Sequence, residues 1–139
     1  MQKGFVVCLA ALAAPVSAAP ALSPAEIEGI WLNPRGTVAV RTEPCAQNVC
    51  GRIVWASSEA QADARDSGVV QLVGTQLLEG YRPKGRGAWA GTVFVPDMGR
   101  RFYSEIHTVS LTQMQVKGCI LGGLICKSQV WTRIGQVPV

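Results

Sequence analysis

Short runs of alternating apolar and polar residues recur along the chain from residue 30 onward, and Gly, Pro and Asn residues separate them. Runs of this length and alternation are typical of β-strands that cover one face of a core. Eight strands are predicted, over residues 30–33, 37–43, 51–56, 75–81, 88–95, 101–109, 113–120 and 126–134. Most of the connections between them are short, which favours antiparallel neighbours in an up-and-down order.

Residues 57–74 interrupt this pattern. The sequence SSEAQADARDSG is rich in alanine and charged residues and lacks a run of β-branched side chains. A short helix is therefore one interpretation of this segment, and an irregular surface loop is the other. If loops alternate between the two ends of an up-and-down barrel, this segment is placed to act as a lid over the open end.

The predicted fold class is all-β. Eight short antiparallel strands can form a sandwich or a closed barrel, and closure removes the exposed strand edges that promote aggregation. The interior of an eight-stranded barrel is either filled by side chains or holds one small ligand. We therefore expect an up-and-down barrel preceded by a short helical turn, because Ser23 and Glu26 have the spacing of a capping box.

The first 18 residues have the pattern of a secretory signal peptide. Lys3 precedes an apolar run over residues 4–16, and Val16-Ser17-Ala18 fits a cleavage site. The run is shorter than the roughly 20 residues of a membrane span, and an uncleaved anchor is the alternative. Removing 18 of the 139 residues leaves 121, enough for one domain over residues 19–139. We expect an exported, soluble protein that is periplasmic or secreted.

Four cysteines remain after this cleavage: Cys45, Cys50, Cys119 and Cys126. An even number of cysteines in an exported chain indicates disulfide bonds. The close pairs Cys45–Cys50 and Cys119–Cys126 are the favoured connectivity. A zinc site is the rival interpretation, but neither spacing is that of a zinc motif and His107 is the single histidine.

The second cysteine pair sets the register of the last two strands. If Gly122-Gly123 is a two-residue turn, Cys119 lies opposite Cys126. The other face of strand seven is apolar and is therefore predicted to point inward. The inward residues of the last strand are then Lys127, Gln129, Trp131 and Arg133, and the same alternation predicts Ile53 and Trp55 inward on strand three.

These inward residues form a polarity gradient. Trp131 is deep, Gln129 lies midway and Lys127 is near the mouth, which suits an amphipathic guest with an acidic head group. The alternative is that Gln129 bonds a neighbour in a filled core and that Lys127 extends into water. Arg133 is predicted to cover the ring of Trp31 and to close the opposite end of the barrel as a cation–π pair.

Gly29-Ile30-Trp31 on the first strand, with an arginine near the end of the last, resembles the lipocalin signature. Over residues 29–134 the wider pattern GIW…CGRIVWA…GYRP…WAGTVFVPDMGRRFY…VKGCILGGLICKSQVWTRI resembles the bacterial exported family called domain of unknown function 2147 (DUF2147). The resemblance implies a lipocalin-like barrel and no established biochemical activity.

No catalytic constellation is found in the sequence. His107 has no obvious serine or cysteine partner, and Asp63 and Asp66 are typical of a solvated helix face. Removal of Lys3 with the first 18 residues takes the net charge from +4 to +3, and this surplus is spread over several loops, which does not support nucleic-acid binding. We expect no enzyme activity, no cofactor and no metal. The predicted function is binding of a small apolar or amphipathic molecule, and the alternative is a cell-envelope interaction or structural module with a filled barrel.

Overall fold

The strands formed by the alternating residues 29–134 close into an antiparallel barrel. The structure, a computed structural model, describes residues 13–16 and 26–139. The strands are β1 Gly29–Leu32, β2 Val38–Cys45, β3 Asn48–Ala56, β4 Gln76–Gly85, β5 Ala88–Val95, β6 Arg100–Ser110, β7 Gln113–Ile120 and β8 Ile125–Ile134. Each strand pairs with the next in the sequence, and β1 pairs with β8. The predicted eight-stranded up-and-down barrel is confirmed.

The end of β4 differs most from its predicted position. β4 continues to Gly85, past the predicted end at Tyr81, through a stretch that contains Arg82-Pro83-Lys84. Its pairing with β5 is irregular between Pro83 and Gly85. Proline donates no backbone hydrogen bond, and an irregularity of this kind lets a strand accommodate it.

The segment after β3 contains a helix, α1, over Ser58–Asp66. Ser57 caps it, because its hydroxyl oxygen accepts a hydrogen bond of 3.1 Å from the amide of Ala60. The buried side chains of Ala64 and Leu72 fasten the segment to the core. The helical interpretation of this segment is therefore confirmed.

Two predictions concern residues that the structure does not describe. The signal peptide over residues 1–18 and the helical turn that begins at Ser23 fall largely outside the described residues. Across the described residues, helices are all too short or too polar to cross a membrane.

Both predicted disulfide pairs are confirmed. Cys45–Cys50 joins the ends of β2 and β3, with 5.7 Å between the Cα atoms. Cys119 and Cys126 face each other on β7 and β8, with 4.1 Å between the Cα atoms. Between them the φ angles of Gly122 (65°) and Gly123 (93°) are positive, as a tight hairpin turn requires.

The predicted inward position of Trp55 is wrong. The register of β2 and β3 shifts at a bulge, so that Val40 faces Ile53 but Ala39 faces Trp55. A bulge places one extra residue, here Val54, in one strand and so reverses the alternation beyond it. Ile53 is in the core, whereas Trp55 is half-buried and lies outside the core cluster.

The half of the barrel nearest the β2–β3, β4–β5 and β6–β7 turns is filled by large side chains. Trp31, Tyr81, Trp89, Ile106 and Met114 are each almost fully buried there. On β5, the inward face is the one that holds Trp89 and also Gly91. A Cβ atom on that glycine would lie 2.8 Å from the ring of Tyr81, so the absence of a side chain makes room for the tyrosine.

Candidate functional site

The other half of the barrel holds a cavity of about 580 Å³. Its walls are the open-end halves of the strands, and its mouth is framed by α1, the turn after β1 and the turn after β5. The apolar wall is formed by Val38, Ile53, Leu72, Leu77, Val93, Val95, Phe102, Val116 and Trp131. A cavity of this volume lies within the range of small-molecule sites, about 300–1,000 Å³.

All three predicted binding residues line this cavity. On β8, Trp131 faces Met114, Gln129 faces Val116 and Lys127 faces Gly118, which is the register expected from the cysteine pair. Trp131 is buried, whereas Gln129 and Lys127 are exposed toward the mouth. Trp131, Gln129 and Lys127 therefore follow one another on the inner face of β8 in the order predicted from the alternation of side chains: apolar ring, amide and cation.

Gln129 is held by its neighbour two residues along the strand. The indole nitrogen of Trp131 donates a hydrogen bond of 3.0 Å to the side-chain oxygen of Gln129. The amide is therefore oriented, and its NH₂ group is the part left to donate to a guest. Gln129 thus bonds a neighbour, as the filled-core interpretation expected, but it does so on the wall of a cavity.

The mouth also carries carboxylates that the sequence analysis did not assign to it. Asp63 on α1 and Asp97 in the turn after β5 line the cavity together with Lys127. A further acid, Glu59, is paired with Arg35 at 3.2 Å. The cation of Lys127 therefore faces a mouth whose other side is acidic.

The opposite end of the barrel is closed by Arg133. Its guanidinium carbon lies 4.2 Å from the centre of the Trp31 ring, and Trp31 is fully buried. The same guanidinium donates hydrogen bonds to the backbone oxygens of Leu111 (2.8 Å), Glu26 (2.9 Å) and Glu28. One side chain therefore ties together the segment before β1, the β6–β7 turn and β8.

Trp31 is fixed on its other edge. Its indole nitrogen donates to the backbone oxygen of Ile27 at 3.0 Å and to the hydroxyl of Thr42 at 3.1 Å. Gly29, which has a φ of 142°, lies so close to Arg133 that a Cβ atom would overlap the guanidinium. The glycine of the Gly-x-Trp motif is needed because the arginine occupies the space of its side chain.

A second polar cluster lies on the outer wall of the barrel. The Glu105 carboxylate accepts hydrogen bonds from Lys84 and, at 2.9 Å, from Tyr103. Its other oxygen lies 3.0 Å from His107 Nε2 and 3.3 Å from Lys117 Nζ. The hydrogen bonds from Lys84, Tyr103 and His107 hold the pKa of Glu105 well below its usual range, and the bond to Glu105 raises the pKa of Lys84. The cluster bridges β4, β6 and β7 and lies away from the cavity.

Only part of this outer cluster has a signal in the sequence. Tyr103, Glu105 and His107 alternate along the sequence of β6 and therefore share one face of that strand. Lys84 and Lys117 come from neighbouring strands, so that their approach to Glu105 depends on strand register. His107 is hydrogen-bonded to Glu105, as a structural histidine would be.

Comparison with known proteins gives a fold and a family. A search of curated proteins finds no match to the chain. Among solved structures the chain is similar to protein HP1028 from the human pathogen Helicobacter pylori, which belongs to the lipocalin family. The TM-score is 0.61 at 12% sequence identity, over 78% of this chain and 83% of that one. A likeness at this identity shows a lipocalin-like fold alone.

The family assignment comes from the sequence over almost the whole barrel. The model of a family described as uncharacterized proteins conserved in bacteria, DUF2147, matches residues 29–133. The match begins at the glycine of the Gly-x-Trp motif and ends at the arginine that covers the tryptophan. The chain therefore belongs to the DUF2147 family.

Proposed function

We propose that this protein is an exported binding protein that holds a small apolar or amphipathic molecule in the open half of its barrel. The observation that carries the proposal is the cavity of about 580 Å³ with its continuous apolar wall. A core of large side chains fills only the closed half. The alternative of a completely filled structural barrel therefore has less support than a binding protein.

The apolar part of the guest lies against the cavity wall, where burial of its surface drives binding. The NH₂ group of Gln129 donates to a polar atom part-way along the guest, since its oxygen is taken by Trp131. An acidic head group reaches Lys127 at the mouth. Asp63 and Asp97 repel a negative head group. The affinity therefore depends on the attraction by Lys127 minus the repulsion by these two carboxylates.

The proposed role is binding without chemistry. The side chains that line the cavity include no histidine, serine, cysteine or tyrosine among the described residues. The acid–base groups of the lining, among them Asp63, Asp97 and Lys127, lie at the mouth, apart from the apolar wall that holds the guest. Export is part of the proposal because two disulfide bonds are typical of an oxidising compartment.

The proposal is tested by titrating the protein with a fluorescent fatty acid and with its uncharged methyl ester. We expect saturable binding of both ligands and a preference for the acid. Lys127→Ala should weaken the acid several-fold, less so at high salt, and leave the ester unchanged. Asp97→Asn should have the opposite effect and raise the affinity for the acid.

A cavity-filling variant gives the decisive control. A Cβ atom at Gly118 would meet only Val93 Cγ1, at 3.5 Å, so there is room for a side chain to begin there, and Gly118→Leu should narrow the cavity. Gln115→Leu places the same side chain on the outer face of the same strand. Binding should be weakened in the first variant and kept in the second, while both retain the far-UV circular dichroism of the barrel. Equal binding by both variants, or no saturable binding by the natural protein, contradicts the proposal.

A further inference from the structure

The tip of the β7–β8 hairpin presents an unusual amount of exposed apolar surface beside the cavity mouth. Leu121 and Leu124 are 67% and 85% exposed, and Ile120 and Ile125 at the base of the turn are 42% and 51% exposed. Met98, in the neighbouring turn at the same end, is also exposed. Contiguous apolar patches of this kind mark surfaces that bind another molecule.

This tip, residues 120–125, is held in shape. The Cys119–Cys126 disulfide lies directly beneath it, and Ile120 pairs with Ile125. Leu121 has a φ of 53°, a conformation that costs energy for a branched residue. The disulfide and the strand pairing therefore restrain the turn in a conformation that leaves both leucines exposed.

The charged side chains of the β7–β8 hairpin are all basic. From residue 106 to residue 139 the sequence contains no Asp or Glu. Lys127 follows the tip on β8, and Arg100 and Arg101 begin the adjacent strand β6, all three exposed. Arg101 is paired with Glu79 at 3.0 Å, and the neighbouring carboxylate is Asp97, in the same turn as Met98.

We propose that the tip docks on an anionic phospholipid bilayer. The leucines and isoleucines enter the acyl–headgroup boundary, where burial of aliphatic surface is favourable. Lys127 and Arg100 stay at the level of the lipid phosphates, and each basic group near an anionic surface adds to the attraction. The surface is small, with four aliphatic side chains, whereas a stable protein interface needs about 20–30 residues on each side. A bilayer therefore fits this tip better than a second copy of the chain.

Docking in this orientation brings the mouth of the cavity to the membrane surface. Ile120 and Ile125 belong both to the tip and to the lining of the cavity. An apolar guest would then pass between the bilayer and the barrel along aliphatic side chains, without crossing bulk water. The docking itself requires no guest, so it can be tested on the protein alone.

Co-sedimentation with vesicles tests the proposal with a matched pair of variants. Leu124 and Leu111 are 85% and 88% exposed and lie at opposite ends of the barrel. With vesicles of equal parts phosphatidylglycerol and phosphatidylcholine, Leu124→Asn should weaken binding about tenfold, as expected for loss of one inserted leucine. Leu111→Asn should bind as the natural protein does. Lys127→Gln should weaken binding about fivefold, and the binding should fall as salt is raised.

Three outcomes would overturn the proposal. If the natural protein stays in the supernatant with anionic vesicles, docking is excluded. Equal losses in Leu124→Asn and Leu111→Asn would show that the tip is not the contact. A dimer in sedimentation velocity that Leu124→Asn dissociates would identify a second copy of the chain as the occupant.

Discussion

Replacing Arg133 by alanine should remove the contact that closes the barrel. The guanidinium covers a fully buried tryptophan at 4.2 Å, and such a shielded cation–π pair contributes about 2 kcal/mol. Of the three carbonyl oxygens that it binds, that of Glu28 is partly buried and the other two are exposed. Leaving one partly buried acceptor without a donor costs about 1 kcal/mol more. We expect Arg133→Ala to lose about 3 kcal/mol in the free energy of unfolding.

Urea denaturation followed by far-UV circular dichroism, with the disulfides intact, measures this loss. With a slope of about 2 kcal/mol per molar, the midpoint should fall by about 1.5 M. Arg133→Lys should lie between the two proteins, because lysine keeps the charge but cannot bind three carbonyls with a planar fork.

Arg101→Ala is the matched control for this experiment. Arg101 also lies over an aromatic ring, that of Phe94 at 4.9 Å, and pairs with Glu79, but its side chain is 60% exposed. An exposed pair of this kind contributes less than about 1 kcal/mol. If Arg133→Ala costs no more than Arg101→Ala, the reasoning about the closed end is refuted.

Two further predictions concern the closed end and the outer wall. Gly29→Ala should cost about 2 kcal/mol by urea denaturation, because of its φ of 142° and the overlap with Arg133, whereas Gly36→Ala, with a φ of 68° and open space around it, should cost about 1 kcal/mol. The lowered pKa of Glu105 means that its ionised form stabilises the fold above the usual glutamate pKa of about 4.3, and that this contribution is lost as the pH falls below it. Glu105→Gln should therefore be about 1 kcal/mol less stable than the natural protein at pH 7, with a smaller difference at pH 3, and a constant difference would contradict the role of the charge.

The fold was predictable because its signals are local. Alternation, turn glycines and the cysteine spacing together fix the strands, their order and the register of the last hairpin. That register predicts that Gln129 and Trp131 point inward, because side chains alternate between the two faces of a strand. The Gly-x-Trp motif and Arg133 lie at the two ends of this pattern, and barrel closure brings them together.

The features that escaped prediction depend on distant parts of the chain. The bulge that turns Trp55 away from the core appears only when β2 and β3 pair. Asp97 reaches the mouth because the turn after β5 and α1 fold toward the same end. The approach of Lys84 to Glu105 needs the register of three strands at once. None of these has a signal within a window of a few residues.

The pairing of β1 with β8 has a consequence for the order in which the molecule folds. Every other strand pair joins neighbours in the sequence, but the bond from Arg133 to Glu28 spans 105 residues. Closing a chain segment of that length costs about 4 kcal/mol in conformational entropy. The contacts between β1 and β8 must offset this cost. The seven pairings between strands that are neighbours in the sequence can form first and hold an open, curved sheet, and the β1–β8 pairing then forms last. Folding speed should therefore be limited by the meeting of the two ends, and a chain cut before Arg133 would stop at the open sheet.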